Sequence, residues 1–526
     1  MTVGNAINKL RTEAKLTQEQ FATLFGVSQQ SVQKWENGLS TPDLERLVKI
    51  SKYFDVSLDA LILGNDNRIV EEMSKNREIK PQYPNIHRWE FYPSNLRTEY
   101  RQSIEEGLDM EAYEEIFRAV AALPQNEIKK KLGDILFEVV MGAKQKEGYP
   151  YIEPSDLERI RELRKPSDKP LSPVGEDLER RIAGAWMGRI CGCMLGKPIE
   201  GVRTAELIPF LTESGNYPMH RYIYRSDITP ETTEKYRYAF AGKQYADEID
   251  GMPVDDDTNY TVLAQKLITK YGRDFTPYDV SQAWMKWQSK DAYCTAERVA
   301  FCNFVNGYTP PESAIYKNPY REWIGAQIRG DYFGYINPGN PELAAEMAWR
   351  DASISHIKNG IYGEMWVAAM LAVAATTRDP EKIISGGLGQ IPHTSRLYEK
   401  ITSVLEGYRG GVTQKECFKS IHQTYDENSS HDWCHTISNA MIVAAALLYG
   451  KGDFAKSICM AVETGFDTDC NGATVGSVLG MAYGIESIPE TWTKPIQDTL
   501  HTSIFKVGTV KISDCVRKTL EHIKLS

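Results

Sequence analysis

Two glycine series constrain the fold of this chain more than any other feature of its sequence. One series places glycine at every fourth position from 184 to 196, and the second does so from 472 to 480. This spacing lines one face of a helix with residues that have no side chain. Because glycine inside a helix costs about 1 kcal/mol relative to alanine, each row needs a compensating contact. We therefore predict two core helices whose glycine faces pack against each other.

The glycine series do not indicate membrane helices. Arg189 and Lys197 interrupt the first series, and no apolar run of about 18 residues contains it. No charged-then-apolar signal begins the sequence, so we expect a cytoplasmic protein without a membrane partner. The nine cysteines are scattered without metal-finger spacing, which favours reduced, mostly buried thiols. A net charge of −10 argues against a protein that coats nucleic acid by charge alone, but it leaves room for one DNA-binding module.

Carboxylates lie at the starts of two predicted helices. Asp255, Asp256 and Asp257 precede TNYTVLAQKLITKYG, and Asp467 and Asp469 precede the second glycine series. One interpretation is helix capping, because carboxylates favour the positive end of the helix dipole. The other is a set of oxygen ligands for a hard divalent cation. Two such starts beside glycine-faced helices favour the metal site.

Four motifs, in order, resemble the ADP-ribosylglycohydrolase family, which includes the dinitrogenase-reductase-activating glycohydrolases. They are GKPIEG after the first glycine series, then DDDTNY, SHIKNGIYGE and GFDTDCNGATVGSVLG, over roughly residues 175–500. The resemblance implies an all-α globule with two magnesium ions (Mg²⁺), or manganese, at its rim. It also implies hydrolysis of the glycosidic bond of an ADP-ribosyl or related ribosyl substrate.

The resemblance assigns a role to each matching residue. Glu200 would position the substrate or activate water as a general base, and a solvated surface glutamate is the alternative. Asp255 stands where the family often has threonine. Cys470 stands where the family usually has a ligating threonine, and because thiolate suits magnesium poorly, ligation and simple burial both stay open. The predicted metal ligands are Asp255, Asp256, Asp257, Asp467, Asp469 and Cys470, and the predicted catalytic residues are Glu200, Asp256, Asp257 and Asp467.

Several further polar residues near the motifs are candidate substrate contacts. His356 can hydrogen-bond a phosphate or sugar, or it can be a satisfied core histidine. His431 and His435 lie four positions apart, which is compatible with metal binding, but the sequence offers no third ligand and favours substrate contacts. The predicted substrate-binding residues are His356, Gly360, Tyr362, His431, His435 and Asn471.

Cleavage at a ribose anomeric carbon passes through an oxocarbenium-like state, so an enzyme must orient the sugar and activate water. Carboxylate-held cations can bind the ribose diol and polarise water, but they do not read the rest of the substrate. A small nucleoside or N-riboside therefore remains an alternative substrate.

Residues 1–64 are predicted to form a helix-turn-helix module. Thr17 and Gln20 form a capping-box pattern, Ser28 precedes the helix QQSVQKWEN, and Thr41-Pro42 is expected to begin another helix. The segment LTQEQFATLFGVSQQSVQKWENG resembles the phage-repressor-like (XRE-type) helix-turn-helix family. The resemblance implies DNA binding by a recognition helix.

The predicted recognition helix buries Val32 and Trp35 and projects polar residues toward DNA. The alternative is a polar, solvated face, or a module that only dimerises. Lysines and arginines balance aspartates and glutamates in residues 1–64, so phosphate attraction is modest and a homodimer would raise the affinity. The predicted DNA-binding residues are Gln29, Gln30, Ser31, Gln33 and Lys34.

Residues 65–174 are predicted to form a linker followed by a helical adaptor, and residues 175–526 the ADP-ribosylglycohydrolase-like domain. Helical patterns cover Leu96–Leu123 and Glu127–Lys146. We expect the adaptor to pack on the large domain through Trp89, Phe91 and Tyr92.

Two classes of function follow. The first is a metal-dependent hydrolase that carries a DNA-binding module. The second is a transcription regulator whose large domain senses a ribose-containing metabolite, an alternative motivated by Cys470 in the predicted metal site.

Overall fold

Two units make up the chain, Met1–Tyr83 and Pro84–Ser526. The computed structural model describes residues 2–63, 80–166, 171–238, 240 and 242–525. The first part of the predicted linker, residues 65–79, and the predicted boundary after residue 64 lie outside the described residues. The boundary at residue 174 stays a prediction.

The N-terminal unit is helical, and its helix ends follow the capping residues. Thr17 Oγ1 accepts a hydrogen bond from the Gln20 backbone N–H at 3.1 Å, and Gln20 Oε1 accepts from the Thr17 N–H at 2.8 Å, which confirms the predicted capping box. The expected helix start at Thr41-Pro42 is wrong, because Asp43 caps a helix that begins at Leu44. The helices are α1 Val3–Glu13, α2 Gln18–Phe25, α3 Gln29–Glu36, α4 Leu44–Phe54 and α5 Leu58–Leu63.

A small helical segment opens the second unit. The predicted helix over Leu96–Leu123 is broken, because Gly107 takes a left-handed backbone (φ 78°) and turns the chain. The next predicted helix ends at Gly142 rather than Lys146. The helices of this segment are α6 Leu96–Glu105, α7 Glu114–Ala121, α8 Glu127–Gly142 and α9 Leu157–Leu163.

Buried ion pairs fasten this segment to the larger core. Arg321 lies 2.8 Å from Glu99 and 2.6 Å from Glu106, and Lys358 lies 2.6 Å from Glu106. Trp89 packs on the large core, as predicted, whereas Tyr92 packs within the segment's own apolar cluster. Because a buried charge is costly unless it is paired, a docking position that broke these pairs would be destabilised.

The remaining helices surround a single large apolar cluster, and a two-stranded antiparallel hairpin, with Thr499 opposite Lys511, precedes the last of them. Among the helices that the structure describes, none combines the length and the apolar character of a membrane span. The elements are α10 Leu178–Gly196, α11 Thr204–Glu213, α12 Pro230–Lys235, α13 Asp256–Tyr271, α14 Pro277–Trp287, α15 Thr295–Val305, α16 Glu312–Ile315, α17 Asp331–Tyr335, α18 Pro341–Ala352, α19 Lys358–Ala374, α20 Pro380–Leu388, α21 Arg396–Arg409, α22 Gln414–Thr424, α23 Ser430–Cys434, α24 Thr436–Gly450, α25 Phe454–Val462, α26 Thr468–Tyr483, α27 Glu490–Thr493, β1 Thr499–His501, β2 Thr509–Lys511 and α28 Ile512–Ile523.

The glycine faces of α10 and α26 pack against each other, as the spacing predicts. A Cβ on Gly188 would lie 2.2 Å from the carbonyl oxygen of Gly476, and a Cβ on Gly192 would lie 1.9 Å from that of Gly472. The pairing runs antiparallel, so the C-terminal end of α10 meets the N-terminal end of α26. This contact places the loop after α10 beside the acids that begin α26.

Candidate active site

Three parts of the chain meet at one cavity of about 440 Å³. Glu200 comes from the loop after α10, Asp256 from the start of α13, and Asp467 and Asp469 from the start of α26; all four line the cavity. Glu200, Asp467 and Asp469 have carboxylate oxygens within 4.8 Å of one another. Acids that are far apart in the sequence are therefore neighbours in the structure.

Glu200 is presented by a short, anchored turn. A 3-10 turn, Lys197–Ile199, follows α10, and Pro198 and Ile199 are buried. The Tyr238 hydroxyl donates to the Glu200 carbonyl oxygen at 2.9 Å. The turn is thereby held while the Glu200 side chain stays exposed at the cavity.

The acids at the start of α13 divide into different environments. Asp255 caps the helix, since its Oδ1 accepts from the Asp257 backbone N–H at 3.0 Å, and its Oδ2 lies 2.7 Å from Lys197 Nζ. Asp257 is fully buried with Oδ1 3.2 Å from Arg189, and its Oδ2 has no hydrogen-bond partner within the described residues. Asp256 alone of the three lines the cavity.

The acids at the start of α26 are not used for capping in the same way. Asp467 occupies the N-cap position, but its side chain makes no capping hydrogen bond. Its backbone N–H donates to Asn439 Oδ1 at 3.2 Å, and the Cys434 thiol lies 3.5 Å from its Oδ2. Asp469 Oδ1 accepts from the Cys470 N–H at 3.1 Å. Capping thus accounts for Asp255 but not for the Asp467 carboxylate.

Crowding of the acids raises their pKa values. Burial, followed by the charges of Asp255 and Asp469, raises the pKa of Asp256 to about 7. Burial, with Asp255 next, raises the pKa of Asp469 to about 6. The charge of Asp469 is the largest cause that raises the pKa of Glu200 well above its usual range. The cluster is therefore short of positive charge.

These residues fit a hard divalent cation. Asp257 and Asp469 place carboxylate oxygens within 4.8 Å of each other and of the Cys470 sulfur, and the buried Oδ2 of Asp257 lacks a partner within the described residues. A buried carboxylate oxygen without a donor is costly unless a cation or water satisfies it. Carboxylate oxygens are the donors that magnesium prefers.

The Cys470 thiol lines the cavity and is buried. Burial raises the pKa of Cys470 well above its ordinary value, and the charge of Asp257 adds to this effect. A neutral thiol is a weak ligand for a hard cation, so the predicted ligation by Cys470 stays a prediction.

Three of the predicted substrate contacts lie outside the cavity lining. His356 is fully buried with Nδ1 2.8 Å from the Ser355 hydroxyl, and Gly360 packs against it. The Tyr362 hydroxyl donates to the Pro154 carbonyl oxygen. Each has a structural contact, and substrate binding by these residues stays a prediction.

The other three predicted substrate contacts, His431, His435 and Asn471, also lie outside the cavity lining. Asn471 donates to Asn439 Oδ1 at 2.8 Å. His431 Nε2 lies 3.0 Å from Glu105, which supplies the third potential metal ligand that the sequence lacked, with His435 beside it. Substrate binding by His431, His435 and Asn471 stays a prediction.

The hydrogen bonds of the two histidines do not suit a metal ion. The indole N–H of Trp323 donates to His431 Nδ1 at 3.2 Å, and the Ile437 backbone N–H donates to His435 Nδ1 at 3.1 Å. Since neither donor can accept, both rings carry their proton on Nε2, the atom that faces Glu105. We assign this group to the structure of the domain.

The cavity wall contains residues that the sequence reasoning missed. Arg203 stacks over Trp433 with its guanidinium 4.5 Å from the ring centroid. Its position three residues after Glu200 was the available signal. The missed lining residues include Arg88, Trp89, Asn95, Thr98, Arg203, Cys294, Glu297, Tyr320, Trp323, Trp433 and Cys434.

In the N-terminal unit, α3 has the polar face that the sequence predicts. Val32 and Trp35 are buried in the core of this unit. The exposed residues are Gln29, Gln30, Gln33 and Lys34, and Ser31 is half-buried.

The ADP-ribosylglycohydrolase family profile matches residues 175–520, and a helix-turn-helix profile matches residues 7–61. Because the first match covers more than half of the sequence, the chain belongs to the ADP-ribosylglycohydrolase family. It joins a glycohydrolase-like domain to an N-terminal helix-turn-helix domain, and the all-α fold expected from the sequence is confirmed.

Curated relatives match the helix-turn-helix part. The HTH-type transcriptional activator BcrR of Enterococcus faecalis is 36% identical over 87 residues, which are 16% of this chain and 43% of BcrR. The HTH-type regulator YqaE of Bacillus subtilis is 38% identical over 64 residues, 12% of this chain and 55% of YqaE. The chain thus spans about half the length of these relatives. A solved structure titled ADP-ribosylglycohydrolase-related protein complex is 17% identical, with a TM-score of 0.43, over 67% of this chain and 100% of that one.

Proposed function

We propose that the chain hydrolyses the bond between the anomeric carbon of a ribosyl group and its nitrogen or oxygen leaving group, with ADP-ribosyl compounds as the substrate class. The observation that carries the proposal is the convergence of Glu200, Asp256, Asp467 and Asp469 on one cavity. Membership of the ADP-ribosylglycohydrolase family supports it.

The side chains of the cavity suit this reaction. As the glycosidic bond breaks, positive charge develops on the sugar, and the carboxylates of Asp256 and Asp467 would stabilise it. Glu200, exposed on its anchored turn, is positioned to take a proton from the water that forms the new bond to the anomeric carbon, in the state where a bound cation offsets the Asp469 charge that raises the Glu200 pKa. Trp323 and Trp433 form an apolar part of the cavity wall, which would exclude bulk water.

The residues that would hold divalent cations are Asp256, Asp257, Asp467 and Asp469. Asp255 is left out because one of its oxygens pairs with Lys197 and the other accepts the capping hydrogen bond. A bound magnesium or manganese ion would supply Lewis-acid chemistry, orienting the ribose hydroxyls and polarising water. Arg189 fixes the position of Asp257, because it contacts the Asp257 carboxylate at 3.2 Å and also donates to the Asp257 carbonyl oxygen at 2.7 Å.

The test is the release of ADP-ribose from ADP-ribosylated protein by the full chain, with magnesium or with a chelator. Asp256→Asn and Asp467→Asn keep the side-chain shape, and each should lower turnover at least about a hundred-fold. Asp274→Asn is the matched control, because Asp274 is exposed and outside the cavity lining. Turnover by the double variant at the wild-type rate would refute the proposal.

We propose DNA binding by residues 7–61 as a second activity. The exposed polar face of α3 supports it, as do curated relatives that carry the names of transcription regulators. A regulator that senses a ribosyl ligand would change its DNA affinity when the ligand binds. A gel-shift titration with and without ADP-ribose tests that reading, and an unchanged affinity would remove it.

A further inference from the structure

We propose that residues 88–98, which precede the family-matched region, form the part of the cavity that binds an anionic group of the substrate, with Arg88 as the contact. This inference rests on the proposed function and specifies its substrate class. The family match begins at residue 175, yet Arg88, Trp89, Asn95 and Thr98 line the same cavity as the carboxylates. The extra segment is therefore part of the site wall.

Arg88 has a charge that is free to meet a ligand. Its side chain is exposed, its guanidinium lies 5.3 Å from the Trp89 ring centroid, and it makes no ion pair within the described residues. The neighbouring acid, Glu90, is already paired with Lys290 at 2.6 Å and with Arg298 at 3.6 Å. Glu90 thus has other partners, and the Arg88 guanidinium stays available to a ligand.

The backbone of Arg88 is held in place by the rest of the segment. Asn95 Nδ2 donates to the Arg88 carbonyl oxygen at 2.6 Å and to the Phe91 carbonyl oxygen at 3.3 Å. Asn95 is followed directly by α6, which the buried Glu99–Arg321 pair fixes to the large core at 2.8 Å. A positioned arginine loses less freedom on binding than one on a loose loop.

The cavity lining carries charges of both signs. Glu200, Asp256, Asp467 and Asp469 supply negative charge, while Arg88 and Arg203 supply positive charge from the same lining. The acids suit a cation and a ribose diol. Arginine recognises phosphate through paired N–H donors, so the arginines of the lining suit a phosphate-bearing substrate better than a neutral nucleoside. A volume of about 440 Å³ lies within the range of small-molecule sites.

The test is calorimetric titration of the full chain with ADP-ribose and with adenosine, in magnesium. Arg88→Ala should weaken ADP-ribose binding about ten-fold or more, because a charged hydrogen bond is lost, and should leave adenosine binding within about two-fold. Arg88→Lys should recover part of the loss. Arg97→Ala is the control, since Arg97 is exposed on α6 and outside the lining.

Three results would count against the proposals, and they differ. Unchanged ADP-ribose affinity in Arg88→Ala overturns this inference while leaving the proposed function intact. Equal weakening of ADP-ribose binding and adenosine binding also overturns it, because the substitution would then have changed the shape of the cavity wall rather than removed a contact to phosphate. Failure of the wild-type chain to bind ADP-ribose overturns the proposed function itself.

Discussion

The ammonium of Lys197 lies 2.7 Å from Oδ2 of Asp255, inside the cluster of acids. The other oxygen of Asp255 caps α13, so both of its oxygens have protein partners. Burial alone would lower the pKa of Lys197, but the charge of Asp255, its hydrogen bond and the nearby Cys193 and Asp469 together outweigh burial and raise that pKa above its usual range. A negative charge at this position is therefore neutralised by the chain itself.

Removing the Lys197 charge should tighten cation binding. In Lys197→Met the cluster loses a positive charge within a few ångströms, so we expect manganese to bind about ten-fold more tightly. Electron paramagnetic resonance of free manganese measures the affinity. The double variant Lys197→Met, Asp255→Thr removes both charges and should return close to the wild-type value. Unchanged affinity in Lys197→Met would mean that the ammonium has no influence on the cation site.

The contact between α10 and α26 predicts a large loss of stability for a small substitution. In Gly188→Ala the new methyl would lie 2.2 Å from the Gly476 carbonyl oxygen, and backbone atoms cannot move aside without separating the helices. We expect the free energy of unfolding to fall by about 3 kcal/mol, as for other overpacked cores. Urea denaturation followed by tryptophan fluorescence measures it.

Gly142→Ala provides the control for the glycine substitution. Gly142 is also helical, but a Cβ there would meet no atom within 4 Å. Its alanine variant should be as stable as the wild type or slightly more stable, because alanine favours helix. A similar loss in both variants would show that the close contact is not the cause.

The glycine pairing was predictable because a spacing of four residues places all the glycines of a series on one face of its helix. Asp467 and Asp469 were predictable for the same reason, since they directly precede the second glycine series, whereas Asp255, Asp256 and Asp257 were recognised as adjacent acids at a helix start. Lys197 was interpreted as an interruption of the apolar pattern and as part of the GKPIEG motif, whereas its pairing with Asp255 depends on how two distant helix ends meet. The spacing of residues along the sequence does not predict which distant helix ends are in contact.

The contribution of residues 88–98 could not be predicted for a related reason. Trp89 was expected to pack on the large domain, which it does, but its position in the cavity lining follows from the docking of α6 through Glu99 and Arg321. Buried ion pairs between distant residues have no periodic signature. The break after Glu105 was also missed, because helix propensity outweighs one glycine in a pattern.

The buried His435 predicts a dependence of stability on pH. Burial lowers the pKa of His435 to about 4, although Glu105 and Glu322 oppose the shift, while His431 and Arg396 add to it. An unfolded histidine has a pKa of about 6.5. Between these values the unfolded chain binds more protons than the folded chain, so stability is full above pH 6.5 or so and is lost as the pH falls toward about 4.

His435→Asn isolates this titration. Asparagine is a good capping residue and can accept from the Ile437 N–H as His435 does, but it does not titrate in this range. We expect the difference in unfolding free energy between pH 7 and pH 4.5 to shrink by up to about 3 kcal/mol relative to the wild type. Equal pH dependence in both proteins would show that His435 does not contribute.

The exposed face of α3 predicts two distinct effects on DNA binding, measured on a duplex selected by the full chain from a random library. Gln33→Ala should weaken binding to the selected duplex by about 1–3 kcal/mol and leave binding to an unrelated duplex unchanged, because glutamine reads base edges. Lys34→Ala should weaken both and reduce the slope of affinity against salt by about one, because lysine neutralises a phosphate. Lys52→Ala, on the exposed side of α4, is the control and should alter neither. If the chain binds its selected duplex and both α3 variants bind as the wild type does, another surface contacts the DNA.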